Sequence, residues 1–177
     1  QQGGGSPMIR GFATNRLIYT VDGVRMNTAI FRSGNIQNVI NLDPFATERA
    51  EVVFGPASVV YGSDAVGGVM AFSTLQPHFA SAVRGNVDFR FTSANKEQSA
   101  HADVSYGGKR WAAVTSLSRW DFDHLRQGSR GPSDYVKPYY VLPGLEGDSV
   151  VLQRDSLLQI PTAYRQWNFM QKVAFRP

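Results

Sequence analysis

The second half of the chain is written in a period of two. In "AVRGNVDFRFTS", Val83, Gly85, Val87, Phe89 and Phe91 alternate with Arg84, Asn86, Asp88, Arg90 and Thr92. Alternation of this kind puts apolar side chains on one face of a strand and charges on the other. "SAHADVSYGG" repeats it, with Ala100, Ala102, Val104 and Tyr106 opposed to His101, Asp103 and Ser105. "WAAVTSLSRWDFD" predicts a longer strand whose apolar face the pattern does not fix. "RQWNFMQKVAFRP" returns to alternation, with Trp167, Phe169, Val173 and Phe175 against Gln166, Asn168, Lys172 and Arg176, and Gln171 interrupts the apolar side. About four strands of roughly ten residues are therefore expected, joined by short connections at Ser93–Gln98 and Gly107–Arg110. The third connection, 124–164, is long and holds Pro132, Pro138, Pro143 and Pro161.

The first half has a different pattern, expected to be a compact mixed α/β unit over 1–77. Leu17 to Val21 reads as a short buried strand and Asp22-Gly23 as a tight turn. In "NLDPFATERAEVVFG", Asp43 is placed as an N-cap and Pro44 at the first position of a short helix, with a strand in "EVVF". "GPASVVYG" opens one or two turns at Pro56 and closes them at Gly62, and "GGVMAFST" is the next strand. Elements this short bury little alone and need a wall to pack against.

Two architectures satisfy the second half. In a soluble β-sandwich the apolar faces form the core. In an up-and-down membrane barrel they meet lipid, strands of ~9–11 residues fit the bilayer, and long loops fall at the outer end. Counting from a first strand that rises from the periplasm, the 124–164 connection lands outside. Aromatic residues near strand ends (Tyr106, Trp111, Trp120, Phe122, Phe175) match interfacial girdles.

Composition narrows the partners. The 177 residues, 42% hydrophobic and 12% aromatic, can build a core. Residues 1–80 balance five arginines against five acids, while 81–177 hold thirteen basic and nine acidic residues and supply the whole +4 excess. No basic run exceeds two residues, so nucleic acid is not an expected partner. There is no cysteine, which removes disulfides, thiolate catalysis and Cys-ligated zinc. No apolar stretch approaches the ~18 residues of a membrane helix. Gln1 to Ser6 hold no signal-peptide pattern, and both ends read as cut from something longer.

The glycines of "YGSDAVGGV" lack the Lys and hydroxyl of a P-loop, no dinucleotide fingerprint occurs, and Ser58 and Ser63 sit in no nucleophile elbow. His78, His101 and His124 are scattered and predict no metal site. Glu48 and Glu51 flank Arg49 on a short segment and read as structural ion pairs. No catalytic residue and no cofactor is expected; the chain is not read as an enzyme.

The phrases "GGGSPMIRGF", "VDGVRMN" and "ATERAEVVFGPASVVYGSDAVGGVM" resemble the plug domain of TonB-dependent outer-membrane receptors, over about residues 3–75. That resemblance implies a fold class of mixed α/β plug followed by antiparallel transmembrane β-barrel strands, an incomplete barrel, with plug at 1–77 and barrel start at 78–177. It implies import of a scarce ligand across the Gram-negative outer membrane: a ferric siderophore first, with haem, cobalamin or a saccharide as the other classes. A TonB-type energy transducer would be the partner, its box lying outside this sequence, and outer-membrane lipid the surround. Plug-apex ligand candidates are Arg25, Asn27, Arg32, Asn35 and Gln37, with solvated loop residues as the alternative for each. The plug–barrel contact candidates are Arg10, Glu48, Arg49 and Glu51. Gly55, Gly62, Gly67 and Gly68 are expected where the plug lies close to its own strands and the wall. Arg84, Asp88, Arg90 and Asp103 are expected to face the plug. The basic stretch "HLRQGSRGPSDYVKPYY" would draw anionic ligands. The competing reading is a soluble β-rich binding or structural module with a glycine-rich α/β cap.

Overall fold

A computed structural model describes residues 7–13, 16–26, 42–62, 65–145 and 147–177. The N-terminal unit is a four-stranded mixed sheet of β1 (Leu17–Val21), β2 (Val24–Arg25), β3 (Thr47–Val53) and β4 (Gly68–Thr74), in the order β2-β1-β4-β3. β1 runs parallel to β4, in register from Leu17↔Gly68 to Val21↔Phe72, and β3 runs antiparallel to β4. Both faces of β1 are covered: Leu17 and Tyr19 pack with Phe12, Met70 and Phe72, while Ile18 packs with Ala65 and Val69. Cover on both sides explains the unbroken apolar run that β1 needs. The Asp22-Gly23 turn follows with φ of 50° and 80°, joining β1 to β2.

No α-helix occurs among the described residues, so the expected α/β mixture is corrected to sheet plus 3-10 turns. The Asp43 carboxylate does cap, accepting from the Phe45 N–H at 3.0 Å, but the turn stops at Thr47. From there the β-branched and charged residues pair with β4 instead of continuing as helix. The Gly55–Tyr61 segment forms a 3-10 helix, as its Pro and Gly punctuation predicts, and is pinned by the Ser58 hydroxyl on the Gly55 and Ala65 carbonyl oxygens. Gly67 is required by close approach: a Cβ there would lie 2.4 Å from Phe12 Cβ and 3.0 Å from the Arg16 carbonyl oxygen. That contact is within the N-terminal unit, not with the second sheet.

The second assembly is a four-stranded antiparallel sheet of β5 (Val83–Thr92), β6 (Glu97–Gly107), β7 (Trp111–Phe122) and β12 (Tyr164–Phe175). The connection between β7 and β12 contains two small antiparallel ladders. One pairs β8 (Leu125–Arg126) with β11 (Leu158–Gln159); the other pairs β9 (Tyr139–Leu142) with β10 (Ser149–Leu152).

This sheet is inside out by the standard of a soluble protein. Its apolar side is exposed: Phe89 at 81%, Phe169 at 70% and Trp167 at 65%, with Val83, Val87, Phe91, Val173 and Phe175 in the same state. Its covered side is polar, and Glu97, Ser99, His101, Ser116 and Ser118 are buried there. Register aligns the outward residues in rows, such as Phe89–Ala100–Arg119–Trp167 and Val87–Ala102–Leu117–Phe169. At about 3.4 Å per residue, the rows from Trp167 to Phe175 on β12 span roughly 27 Å along the strand, or about 21 Å in height at a ~40° tilt, close to the ~25 Å apolar band of an outer-membrane barrel.

β7 is resolved by the register: Ala112, Val114, Ser116, Ser118 and Trp120 turn inward, and Trp111, Leu117 and Arg119 outward. Two of the girdle assignments are thereby corrected. Trp120 is buried on the inner side and Phe122 stacks there on Tyr164 at 4.5 Å, because each shares its parity with Ser118. Tyr106, Trp111 and Phe175 are exposed, and the last two touch at 4.6 Å. The interrupting Gln171 is also explained, since its side-chain oxygen accepts from Thr115 Oγ1 across the ladder at 2.6 Å.

Candidate functional site

Among the described residues, two turns of the N-terminal unit meet the inner side of the sheet. The first is the turn after residue 42. There Asp43 accepts a short hydrogen bond from the Ser118 hydroxyl, and Phe45 stacks on His101 at 5.0 Å and on Trp120 at 5.1 Å. Around this seat the sheet supports its own polar groups. His101 reaches Ser118 Oγ at 2.7 Å and Asp103 Oδ2 at 3.2 Å through its two ring nitrogens. Arg90 lies over the Trp120 ring at 4.9 Å and donates from Nε to Glu97 at 2.7 Å. Glu97 also accepts from Ser99 at 2.7 Å and Thr92 at 3.1 Å, so this buried carboxylate is paired and hydrogen-bonded.

The second contact is the Asp22-Gly23 turn. Lys172 Nζ of β12 lies 2.9 Å from Asp22 Oδ2, and Asp22 also accepts from the Thr74 N–H, the Thr74 hydroxyl and Gln76. Burial pushes the Asp22 carboxyl up, but the bonds from Lys172 and Thr74 outweigh it and hold the group below the usual carboxylate range. Between the two turns a groove of about 320 Å³ is left, lined by Leu42, Thr47 and Thr74 on one side and Asn168 and Met170 on the other. The contact is thus a few polar and aromatic fixings around a gap.

Ser118, His101 and Asp103 have the residue types of a hydrolase triad, but Ser118 is wholly buried and its hydroxyl is committed to Asp43. No substrate carbonyl could reach it, and the group is a seat for the turn. Among the described residues no cluster of His, Asp or Glu could hold a metal ion.

The sequence-predicted positions fall as follows. Arg25 is exposed at the end of β2, while Asn27, Arg32, Asn35 and Gln37 lie outside the described residues. Arg10 stacks on Phe54 at 4.7 Å and Arg49 pairs with Glu51 on exposed β3, all within the N-terminal unit; Glu48 is exposed beside them. Among the described residues, Arg10, Arg49 and Glu51 find these partners inside the N-terminal unit, whereas the contacts with the sheet described above use Asp22, Asp43 and Phe45. Likewise Arg90 and Asp103 face inward but bond to neighbours on their own sheet, and Asp88 accepts from Asn86. Sequence spacing gave no sign of the seat, because Asp43 and Ser118 are 75 residues apart. The one available hint was an aromatic, Phe45, in a polar turn. In the basic stretch after β7, Arg126 pairs with Asp155 and the His124 ring accepts from the Thr162 and Ala163 N–H groups at 3.1 Å.

Residues 1–69 match the family model described as TonB-dependent Receptor Plug Domain. Over 137 residues, 72% of this chain, the sequence is 34% identical to the hemin receptor of Yersinia pestis, covering 19% of that protein. It is 32% identical to the ferrioxamine receptor of Yersinia enterocolitica over 67% of this chain and 17% of that protein. It is 35% identical to the vitamin B12 transporter of Vibrio vulnificus over 70% of this chain and 17% of that protein. The chain thus spans about a fifth of the length of these relatives.

Proposed function

We propose, from the premise that residues 1–69 belong to the TonB-dependent receptor plug domain family, that the chain is the plug and first wall strands of an energy-coupled outer-membrane importer. The observation that carries this reading is the inverted sheet: apolar rows exposed outward, polar residues buried on the side that the plug meets. A sheet of that kind is at home only where its outer side meets hydrocarbon, since a soluble sandwich would turn Phe89, Trp167 and Phe169 inward. Four strands leave two bare edges, which closure by further strands would satisfy.

The fixings between plug and wall suit a piece that must shift. Polar contacts around a gap can be exchanged for water, whereas a dry apolar core could not be opened without a large cost. The outer membrane has no nucleotide supply, so force from an inner-membrane transducer of the TonB type would drive the change. For the cargo, relatives named for hemin and ferrioxamine favour an iron-bearing ligand, a ferric siderophore or haem, with cobalamin next. The ligand would enter between the outer loops and the plug apex, where Arg25, Asn27, Arg32, Asn35 and Gln37 are the proposed contacts.

The test is growth of an uptake-deficient Gram-negative host that carries the complete receptor. Ferrioxamine, hemin or cobalamin is offered singly as the only source. Growth on one of them that disappears when the energy transducer is deleted is expected. Growth on none, with the receptor present in the outer membrane, would overturn the cargo assignment; growth independent of the transducer would overturn the coupling.

A further inference from the structure

The seat of the first turn is a chain of four polar side chains that runs from the plug into the wall. Asp43 meets the Ser118 hydroxyl, Ser118 Oγ meets His101 Nδ1 at 2.7 Å, and His101 Nε2 meets Asp103 Oδ2 at 3.2 Å. Each of these three contacts needs one proton between its two heavy atoms. The serine hydroxyl supplies one and a neutral imidazole supplies one, while a carboxylate supplies none. Three contacts share two protons, so the seated chain is one proton short. Ser118 and His101 are only 0% and 3% exposed, which leaves the missing donor to the chain itself rather than to bulk water.

Remove the plug and the count balances. Ser118 then donates to Nδ1 and the Nε2 proton goes to Asp103, so two contacts use two protons. Seating adds Asp43 at the far end as an acceptor, and with it the demand for one more proton. The surroundings favour holding it. Across the sheet the ring stands in the row Asp88–His101–Ser118–Asn168. Asp88 of β5 accepts from Asn86, Asn168 of β12 is uncharged, and Arg90 of β5 is committed to Glu97. The groups left to face the chain, Asp43, Asp88 and Asp103, are all acidic. Phe45, stacked on the imidazole at 5.0 Å, adds a ring face of the kind that attracts a cation.

We infer, on the reading of the two units as plug and wall, that seating of this turn takes up one proton, shared along Asp43, Ser118, His101 and Asp103, and that release gives it back. The balance is simple: a plug carboxylate, a neutral imidazole bonded to Ser118 and Asp103, and one proton from solvent combine into the seated chain. That proton belongs to the chain as a unit and not to one residue. Because the seated state binds one proton more, acid favours seating and rising pH weakens it, by at most about tenfold in the seating constant for each pH unit. The turn is thereby a latch that loosens as protons become scarce.

The complete receptor is to be placed in a planar bilayer, and the urea concentration at which its conductance opens followed from about pH 6 to pH 9. Asp22, whose carboxyl is held below the usual range, stays charged throughout that window. Wild type is expected to open at progressively lower urea as pH rises. An amide in place of either terminal carboxylate brings its own N–H and completes the three contacts without an added proton. In Asp43→Asn the amide oxygen can still accept from the Phe45 N–H, as Asp43 Oδ1 does. Asp43→Asn and Asp103→Asn, at opposite ends of the chain, are therefore each expected to seat and to open at a urea concentration that does not follow pH. Heat-modifiable gel mobility reports folding of the barrel in each. A wild type that opens at the same urea across the range, or seated amide variants that keep its slope, overturns the shared proton and leaves the plug reading intact. A receptor whose conductance never opens before barrel mobility is lost overturns the plug reading and the latch with it.

Discussion

Replacing Phe169 with lysine distinguishes an outward row that meets hydrocarbon from one that is left in water. The ring is 70% exposed in the outward row one step above Thr115–Gln171. If that row meets water, the substitution removes an exposed apolar group and changes stability by less than ~0.5 kcal/mol while improving solubility. If it meets hydrocarbon, both terms are unfavourable. About 140 Å² of ring surface, taken from ~200 Å² per phenylalanine, contributes about 3.5 kcal/mol of lipid transfer at ~25 cal/mol/Å². An ammonium one row off the middle of the band adds at most roughly 2–4 kcal/mol. A loss on the order of 6 kcal/mol is then expected, reduced by whatever depth the lysine recovers by reaching toward the interface. The assay is urea-dependent refolding of the complete receptor into phospholipid vesicles, scored by heat-modifiable mobility, with Gln166→Lys on the inner side as control. The control is expected to shift the midpoint little. A Phe169→Lys receptor that refolds like wild type would falsify the assignment of this face to lipid.

Phe45→Ala removes two stackings of about 0.5–1.5 kcal/mol each and the cover of a half-buried ring, so plug seating is expected to weaken by ~2–3 kcal/mol. Planar-bilayer conductance should open at lower denaturant, with barrel mobility on gels unchanged and Phe45→Tyr close to wild type. Asp22 has a lowered carboxyl, so its contribution is complete above the unfolded value of ~3.9 and lost as pH falls through the folded value. Calorimetry from pH 6 to pH 3 should therefore find a plug transition that falls steeply below about pH 4 in wild type and less steeply in Asp22→Asn; equal slopes would contradict the role given to this group. Thr115→Val leaves the Gln171 side-chain oxygen without its donor on the apolar side and is expected to cost about 1–2 kcal/mol in vesicle refolding. Adding Gln171→Leu should recover that loss; a double variant no better than the single one would argue against the pairing.

What the residues reveal in advance follows from the range of each interaction. β5, β6 and β12 were legible because alternation is a local consequence of the pleat, and each has one side free of polar groups over most of its length. β7 was not: Ala lies on both its sides, with Ser on one and Thr on the other, so only its ladders fix its parity. The expected helix at Asp43-Pro44 had correct local chemistry, an Asp that caps and a Pro in the first turn. Pairing of Thr47 to Val53 with β4 overrode it. The contacts between the N-terminal unit and the sheet were hidden for a related reason. Charge made Arg49 and Glu51 conspicuous, yet opposite charges two apart on a strand satisfy each other, while Phe45 and Asp43 find partners that chain order separates widely.

The parallel pairing of β1 with β4 has a mechanical consequence. Thr74 leads through residues 75–82 into β5, and that link crosses β6 so tightly that a Cβ on Gly107 would fall 1.9 Å from the His78 carbonyl oxygen. A tug on the residues before Leu17 would therefore stretch the unit between the start of β1 and the end of β4. In a parallel pair those are opposite ends, so the load runs along the strands in shear and the whole ladder from Leu17 to Val21 must yield together. Such a clamp resists peeling one bond at a time, so traction from the N-terminal side would dislodge this piece as a body before unravelling it.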